Sequence, residues 1–216
     1  MLSFSSVYYK NDEKTILKDI HIHIESGDYI SIVGPSGSGK STFLKLCNNL
    51  ISPTNGTILY NHKNILEYNP IELRKEISYC FQIPHLFGDR VIDNLIFPFN
   101  IRNKQLNMDK IKELCNLFNL NKEILNEKII NLSGGEKQRI ALMRNLIFPS
   151  HILLLDEITS SLDGENTKII EDIIHELNKT GTTILWVTHS KEQSIKHANK
   201  LLTIENSEIK SLEVLR

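Results

Sequence analysis

Residues 34 to 41, Gly34-Pro35-Ser36-Gly37-Ser38-Gly39-Lys40-Ser41, with Thr42 behind them, set one lysine and several hydroxyls into a glycine-rich run. Glycines let a backbone wrap closely round phosphate groups, with its amides and a following helix N-terminus facing the negative charge. At this spacing Lys40 reaches the β- and γ-phosphates of a nucleotide and Ser41 ligates Mg2+. The run lies between an apolar stretch, Tyr29 to Val33, and residues Phe43, Leu44 and Leu46 at helical spacing. That is the strand–loop–helix setting a phosphate loop requires. Nucleotide binding follows, but the loop alone does not separate a kinase from a GTPase or an ATPase.

A second group of chemical residues lies far along the chain, where Ile152-Leu153-Leu154-Leu155 runs into Asp156-Glu157. A wholly apolar strand delivers the first carboxylate to its C-terminal edge, where ligands sit in open α/β sheets. There Asp156 is expected to hold Mg2+ through water. Glu157, next in line and pointing differently, is expected to orient or deprotonate an attacking water. Asp-Glu alone would read as two solvated carboxylates; the apolar run and the phosphate loop favour the catalytic reading. Between the two groups lies Leu132-Ser133-Gly134-Gly135-Glu136, which by itself is a Ser-Gly turn before a helix.

These residues need a scaffold. Alternation of Ile20, Ile22 and Ile24 with His21 and His23 predicts a strand with one wet face, on which the two histidines have no third metal ligand nearby. A turn at Ser52-Pro53-Thr54-Asn55-Gly56 precedes a strand from Thr57 to Tyr60. Ile111, Leu114, Cys115 and Phe118 predict a helix over Asn107 to Leu120, and further helices are expected from Gly135 to Leu146 and from Glu165 to Asn178. Thr183 to Val187 and Leu201 to Ile204 read as strands. Strands alternating with helices predict an α/β core with a mainly parallel sheet, carrying a β-rich lobe at the beginning and a helical lobe in the middle.

The 216 residues are 40% apolar and 24% charged, ordinary values for a soluble globular chain with a substantial core. A formal net charge of −1 argues against general nucleic-acid binding. No apolar run approaches the ~18–20 residues of a membrane span, and the start lacks the basic-then-apolar pattern of a signal peptide. Cys47, Cys80 and Cys115 are far apart and form no CxxC pair, so buried reduced thiols are expected.

Leu132 to Glu136, continued by Lys137-Gln138-Arg139, resembles the signature of ABC transporter ATP-binding subunits, and the phosphate loop and Asp156-Glu157 stand where that family has them. The resemblance runs from Tyr9 to His189. It implies a single ABC ATPase domain over residues 1–216: a P-loop NTPase core with a mainly parallel sheet, an N-terminal antiparallel β lobe and a helical signature lobe at about 83–140. It implies that Ser133, Gly134 and Gly135 of one copy close over ATP held by the other, so that ATP with Mg2+ joins two halves of an interface. Gln82 matches the glutamine that touches Mg2+, so Ser41, Gln82 and Asp156 form the implied metal set. Asp163, in Ser160-Ser161-Leu162-Asp163, matches the loop that communicates across the dimer; Ser161 stands where alanine is commoner. His189 matches the histidine that contacts the γ-phosphate and attacking water, acting with Glu157 and Lys40. An aromatic residue near the beginning stacks on adenine in this family: Tyr9 is the choice and Tyr8 the alternative, since alternation puts them on opposite faces. No motif is degenerate, which implies a symmetric homodimer with two active sites.

Ile83 to Phe99 is apolar, aromatic and interrupted by prolines. Part is lobe core; the rest is expected to form an apolar groove for a multi-span permease subunit, placing the chain in the cytoplasm on the inner face of the membrane. The wording SYCFQ before this stretch and WVTH around His189 is similar to a small bacterial family of iron-export ATP-binding subunits. The resemblance leaves a soluble ABC ATPase, for example one serving iron–sulfur assembly, as the alternative; Glu157 and His189 argue against a non-hydrolysing regulatory binder.

Overall fold

The computed structural model describes residues 1–216. Ten strands form in chain order: β1 (Leu2–Asn11), β2 (Lys14–Ile24), β3 (Tyr29–Val33), β4 (Asn55–Tyr60), β5 (Lys63–Asn64), β6 (Ile77–Cys80), β7 (Ile152–Asp156), β8 (Thr183–Val187), β9 (Lys200–Glu205) and β10 (Glu208–Val214). Seven helices accompany them: α1 (Lys40–Cys47), α2 (Pro70–Glu76), α3 (Val91–Asn100), α4 (Met108–Leu117), α5 (Gly134–Leu146), α6 (Gly164–Lys179) and α7 (Lys191–Lys196). The chain divides into two compact units, one of residues 1–79, 151–157 and 178–216, the other of residues 80–150 and 158–177.

The first unit holds both sheets. An antiparallel sheet of order β2-β1-β4-β5 is the expected N-terminal lobe, and a six-stranded sheet runs β10-β9-β3-β8-β7-β6. Within it β9, β3, β8 and β7 are parallel neighbours, and only the β10 hairpin is shown antiparallel. β7 and β8 are buried at every residue, which is why they read as continuous apolar runs instead of alternating ones. The register puts Val187 beside both Asp156 and Ile32, so β3, β7 and β8 end level with one another. The phosphate loop, the carboxylate pair and His189 therefore leave the same sheet edge.

β2 behaves as its alternation predicts: Ile20, Ile22 and Ile24 are buried while His21 and His23 face solvent, His21 bonding Asp19 at 3.0 Å. β1 departs from alternation. Its pairing register slips between Val7 and Tyr9, and Ser6 takes a left-handed φ of 47°, so Tyr8 and Tyr9 are both half-buried instead of lying one in and one out. The three cysteines are free and buried, and burial pushes the Cys80 thiol up to about 12, which leaves it protonated and unreactive.

The second unit is helical, and short polar side chains (asparagine, serine and aspartate) accept amides at the starts of its helices. Asn107 accepts the Lys110 amide at the start of α4. That helix ends at Leu117, short of the expected Leu120, because Asn119 adopts φ 51° and turns the chain out. Phe118 and Leu120 are buried all the same. The apolar stretch after Gln82 contains α3, a helix that its prolines concealed: Asp93 starts it by accepting the amides of Asp89 and Arg90 at 2.9 and 2.8 Å.

Leu154, fully buried in the middle of β7, is expected to cost about 2–5 kcal/mol when replaced by alanine. Ile130→Ala, at a side chain left 81% exposed, should change stability by less than about 0.5 kcal/mol. Urea unfolding of the two variants measures both.

Candidate active site

The phosphate loop is built from backbone conformations that side chains oppose. Gly34 has φ +146°, and a Cβ there would lie 2.0 Å from the backbone oxygen of Ile204. Gly39 has φ +104°, with Leu17 and the Ile16 carbonyl 2.6 and 2.8 Å from where its Cβ would stand. Lys40 then begins α1. It is 5% exposed, and its ammonium donates to the carbonyls of Gly34 at 2.9 Å and Pro35 at 2.8 Å, folding the loop back over itself. Burial lowers its pKa from the usual lysine range, while the charges of Glu157 and Asp156 oppose the shift. Ser38 adds a buried hydroxyl oxygen that has no hydrogen-bond partner within the chain.

Ser41, in the first turn of α1, donates its hydroxyl to Asp156 Oδ1 at 2.9 Å. Asp156 is 5% exposed, and its other oxygen accepts the Tyr79 hydroxyl at 2.5 Å. Glu157 follows in a left-handed backbone conformation, φ 50°, held by its amide donating to the Val187 carbonyl at 3.1 Å. A charged side chain with positive φ is uncommon outside turns and functional sites. The bend aims Glu157 away from Asp156 and toward His189, whose Nε2 lies 2.8 Å from Oε1 of the glutamate. Lys40, Ser41, Asp156, Glu157 and His189 are thus gathered at one edge of the first unit, together with Gly34 to Gly39 and Thr42. Tyr9 packs part of its ring against that unit's core.

Gln82, Ser133, Gly134, Gly135 and Asp163 belong to the second unit. Gln82 is exposed just beyond β6. Ser133 caps α5 with a reciprocal box: its Oγ accepts the Glu136 amide at 3.2 Å, and Glu136 Oε2 accepts the Ser133 amide at 2.8 Å. These bonds hold the Glu136 carboxyl below the usual glutamate range. Asp163 caps α6, accepting the Asn166 amide at 2.8 Å, and Leu162 beside it comes within 3.3 Å of a Cβ built on Gly135. The glycines of the signature and the loop before α6 are therefore neighbours within one unit.

A phosphate loop, a buried strand ending in Asp-Glu and a serine-capped LSGGE helix occur together on this scaffold, and the family comparison agrees. The ABC transporter profile matches residues 17–160. The chain belongs to the ABC transporter family. It is 44% identical over 95% of its length to the probable iron export ATP-binding protein FetA of Escherichia coli strain K12, of which it covers 91%. It is 38% identical over 95% of its length to ABC transporter I family member 17 of Arabidopsis thaliana, covering 78% of that protein. Its structure matches the dimeric post-hydrolysis state of the ATP-binding cassette MJ0796 bound to ADP and Pi with a TM-score of 0.90, at 28% identity, covering 100% of this chain and 99% of that one. This ABC protein is accordingly an ATP-binding, ATP-hydrolysing subunit. Tyr79 is the site residue that sequence reasoning missed; its one signal was a tyrosine in a buried strand, where a hydroxyl needs a partner.

The capping box carries a pH signature. Because the folded-state pKa of Glu136 is depressed, its contribution is present above the unfolded value near 4.5 and is lost as pH falls through the folded one. Glu136→Gln should therefore be less stable than the parent at neutral pH and converge with it in acid, and Ser133→Ala should cost about 1 kcal/mol. Denaturant midpoints collected from neutral to acid pH measure both effects.

Proposed function

We propose that two copies of this ABC subunit close around two ATP molecules and drive a separate multi-span permease from the cytoplasmic face of the membrane. The observation that carries the reading is the convergence of Lys40, Ser41, Asp156, Glu157 and His189 at one sheet edge. Gly34, Pro35, Ser36, Gly37, Ser38, Gly39 and Thr42 line the phosphates, and the unpartnered Ser38 hydroxyl is a donor suited to them. Lys40 places its charge on the β- and γ-phosphates. Ser41 and Asp156, with Gln82, would hold Mg2+: a hydroxyl, a carboxylate and an amide oxygen fit a hard ion that takes few protein ligands and keeps phosphate oxygens and waters. When bound, the ion offsets negative charge on the phosphates. Glu157 orients the attacking water and takes its proton, and the bond from His189 holds that carboxylate in place. Tyr9 is the adenine platform.

Closure by a second copy is supported by the dimeric structures of MJ0796 and by the Ser133, Gly134 and Gly135 helix start, whose amides suit an anion. Asp163 stands in the loop beside that helix start and would carry information across the dimer. Docking on a permease is supported by exposed aromatic and aliphatic side chains on the second unit, Phe81, Ile83, Phe87 and Phe97, and no helix of the chain is long and apolar enough to cross a membrane itself. The name of the FetA relative supports export of iron, or of another metal or small substrate.

Lys40→Ala should abolish productive ATP binding or turnover. Glu157→Gln should retain ATP, lower turnover by about 10²–10⁴-fold and trap the closed dimer, read by phosphate release and by size-exclusion chromatography. Near-normal turnover in either variant refutes the assigned role. Tagged Glu157→Gln protein with ATP, drawn from gently solubilised host membranes, should recover one multi-span protein in near-equal amount. Recovery of soluble partners alone would mean an assembly ATPase instead.

A further inference from the structure

We propose that Tyr79 is a positioning residue for the metal step of hydrolysis: its hydroxyl locks the Asp156 carboxylate against Ser41. The inference rests on Asp156 being a carboxylate that holds Mg2+. Tyr79 stands near the end of β6, next to β7 in the sheet, and is 8% exposed. Its hydroxyl donates to Asp156 Oδ2 at 2.5 Å, while Ser41 donates to Oδ1 at 2.9 Å.

The torsion that turns an aspartate's carboxylate plane has a broad, two-fold energy well, so the plane is not set by its own covalent geometry. Two donors on opposite oxygens, one from β6 and one from α1, remove that freedom. The same arrangement commits the Ser41 proton to Asp156 and leaves the serine lone pairs turned outward, where a cation can use them. Without the tyrosine hydroxyl, Oδ2 would be buried and short of a donor. The carboxylate would then turn to recover one, and the Ser41 hydroxyl would lose its fixed acceptor. Packing does not account for the oxygen, since phenylalanine would fill the same ring volume.

Equilibrium dialysis of ADP against the otherwise native chain, in excess Mg2+ and in EDTA, reads the metal's contribution as a ratio of two affinities. Tyr79→Phe should lower that ratio by about tenfold, leave ADP affinity in EDTA unchanged, and raise the Mg2+ concentration for half-maximal turnover to match. Asp156→Asn, measured alongside, separates the possible failures. If Asp156→Asn lowers the ratio and Tyr79→Phe keeps it within about twofold of the parent, Tyr79 is a core residue only and the inference falls, with the site assignment standing. Equal weakening by Tyr79→Phe in Mg2+ and in EDTA also overturns it, since that is loss of the nucleotide site and not of metal positioning. A ratio unchanged in Asp156→Asn overturns the assignment of Asp156, and the role of Tyr79 with it.

Discussion

A carboxylate almost withdrawn from water is the constraint around which the first unit is arranged. Leaving a buried carboxylate oxygen short of a donor costs about 1–3 kcal/mol or more, so Asp156 requires donors that are in place before any ligand arrives. Ser41 meets that need only because α1 starts where it does, and α1 starts there because Gly39 turns in a conformation closed to other residues. Tyr79 meets it only because β6 flanks β7. One side chain thereby ties the loop, the first helix and two strands into a single arrangement.

The second unit solves a different problem. Its helices begin on side-chain caps: Asn107, Ser133 and Asp163 each accept an amide at a helix start. At α5 the cap is reciprocal, and the Glu136 carboxylate already answers part of the positive end of the helix. Under the proposed closure, a phosphate would meet a helix start that is preorganised but partly compensated, which would suit an interface that has to open again.

Motifs whose chemistry demands a residue at every step were legible from the sequence. The phosphate loop, the Asp156-Glu157 pair and the buried strands β3 and β8 needed no tertiary information, because glycine geometry and mostly apolar runs are written locally. Elements that depend on a cap were less visible. The Asn69-Pro70 pair that starts α2 and the Ser190 cap of α7 were both present, yet each opens a helix too short to show a hydrophobic period. The two tyrosines of β1 defeated the alternation argument because Ser6 and the register slips add residues that a period of two does not count. Tyr79 was hidden for another reason: its partner is 77 residues away, and only the sheet order brings them together.

The left-handed backbone at Glu157 bears on how such sites decay. A main-chain hydrogen bond to Val187 helps to hold the bend, and the glutamate side chain reaches on to His189. Glycine or asparagine would occupy the same φ with less strain, at the cost of the bond to His189. If Glu157 has the catalytic role proposed for it, a copy freed from the demand to hydrolyse ATP could lose the residue to an easier backbone, trading the bond to His189 for relief of the positive φ.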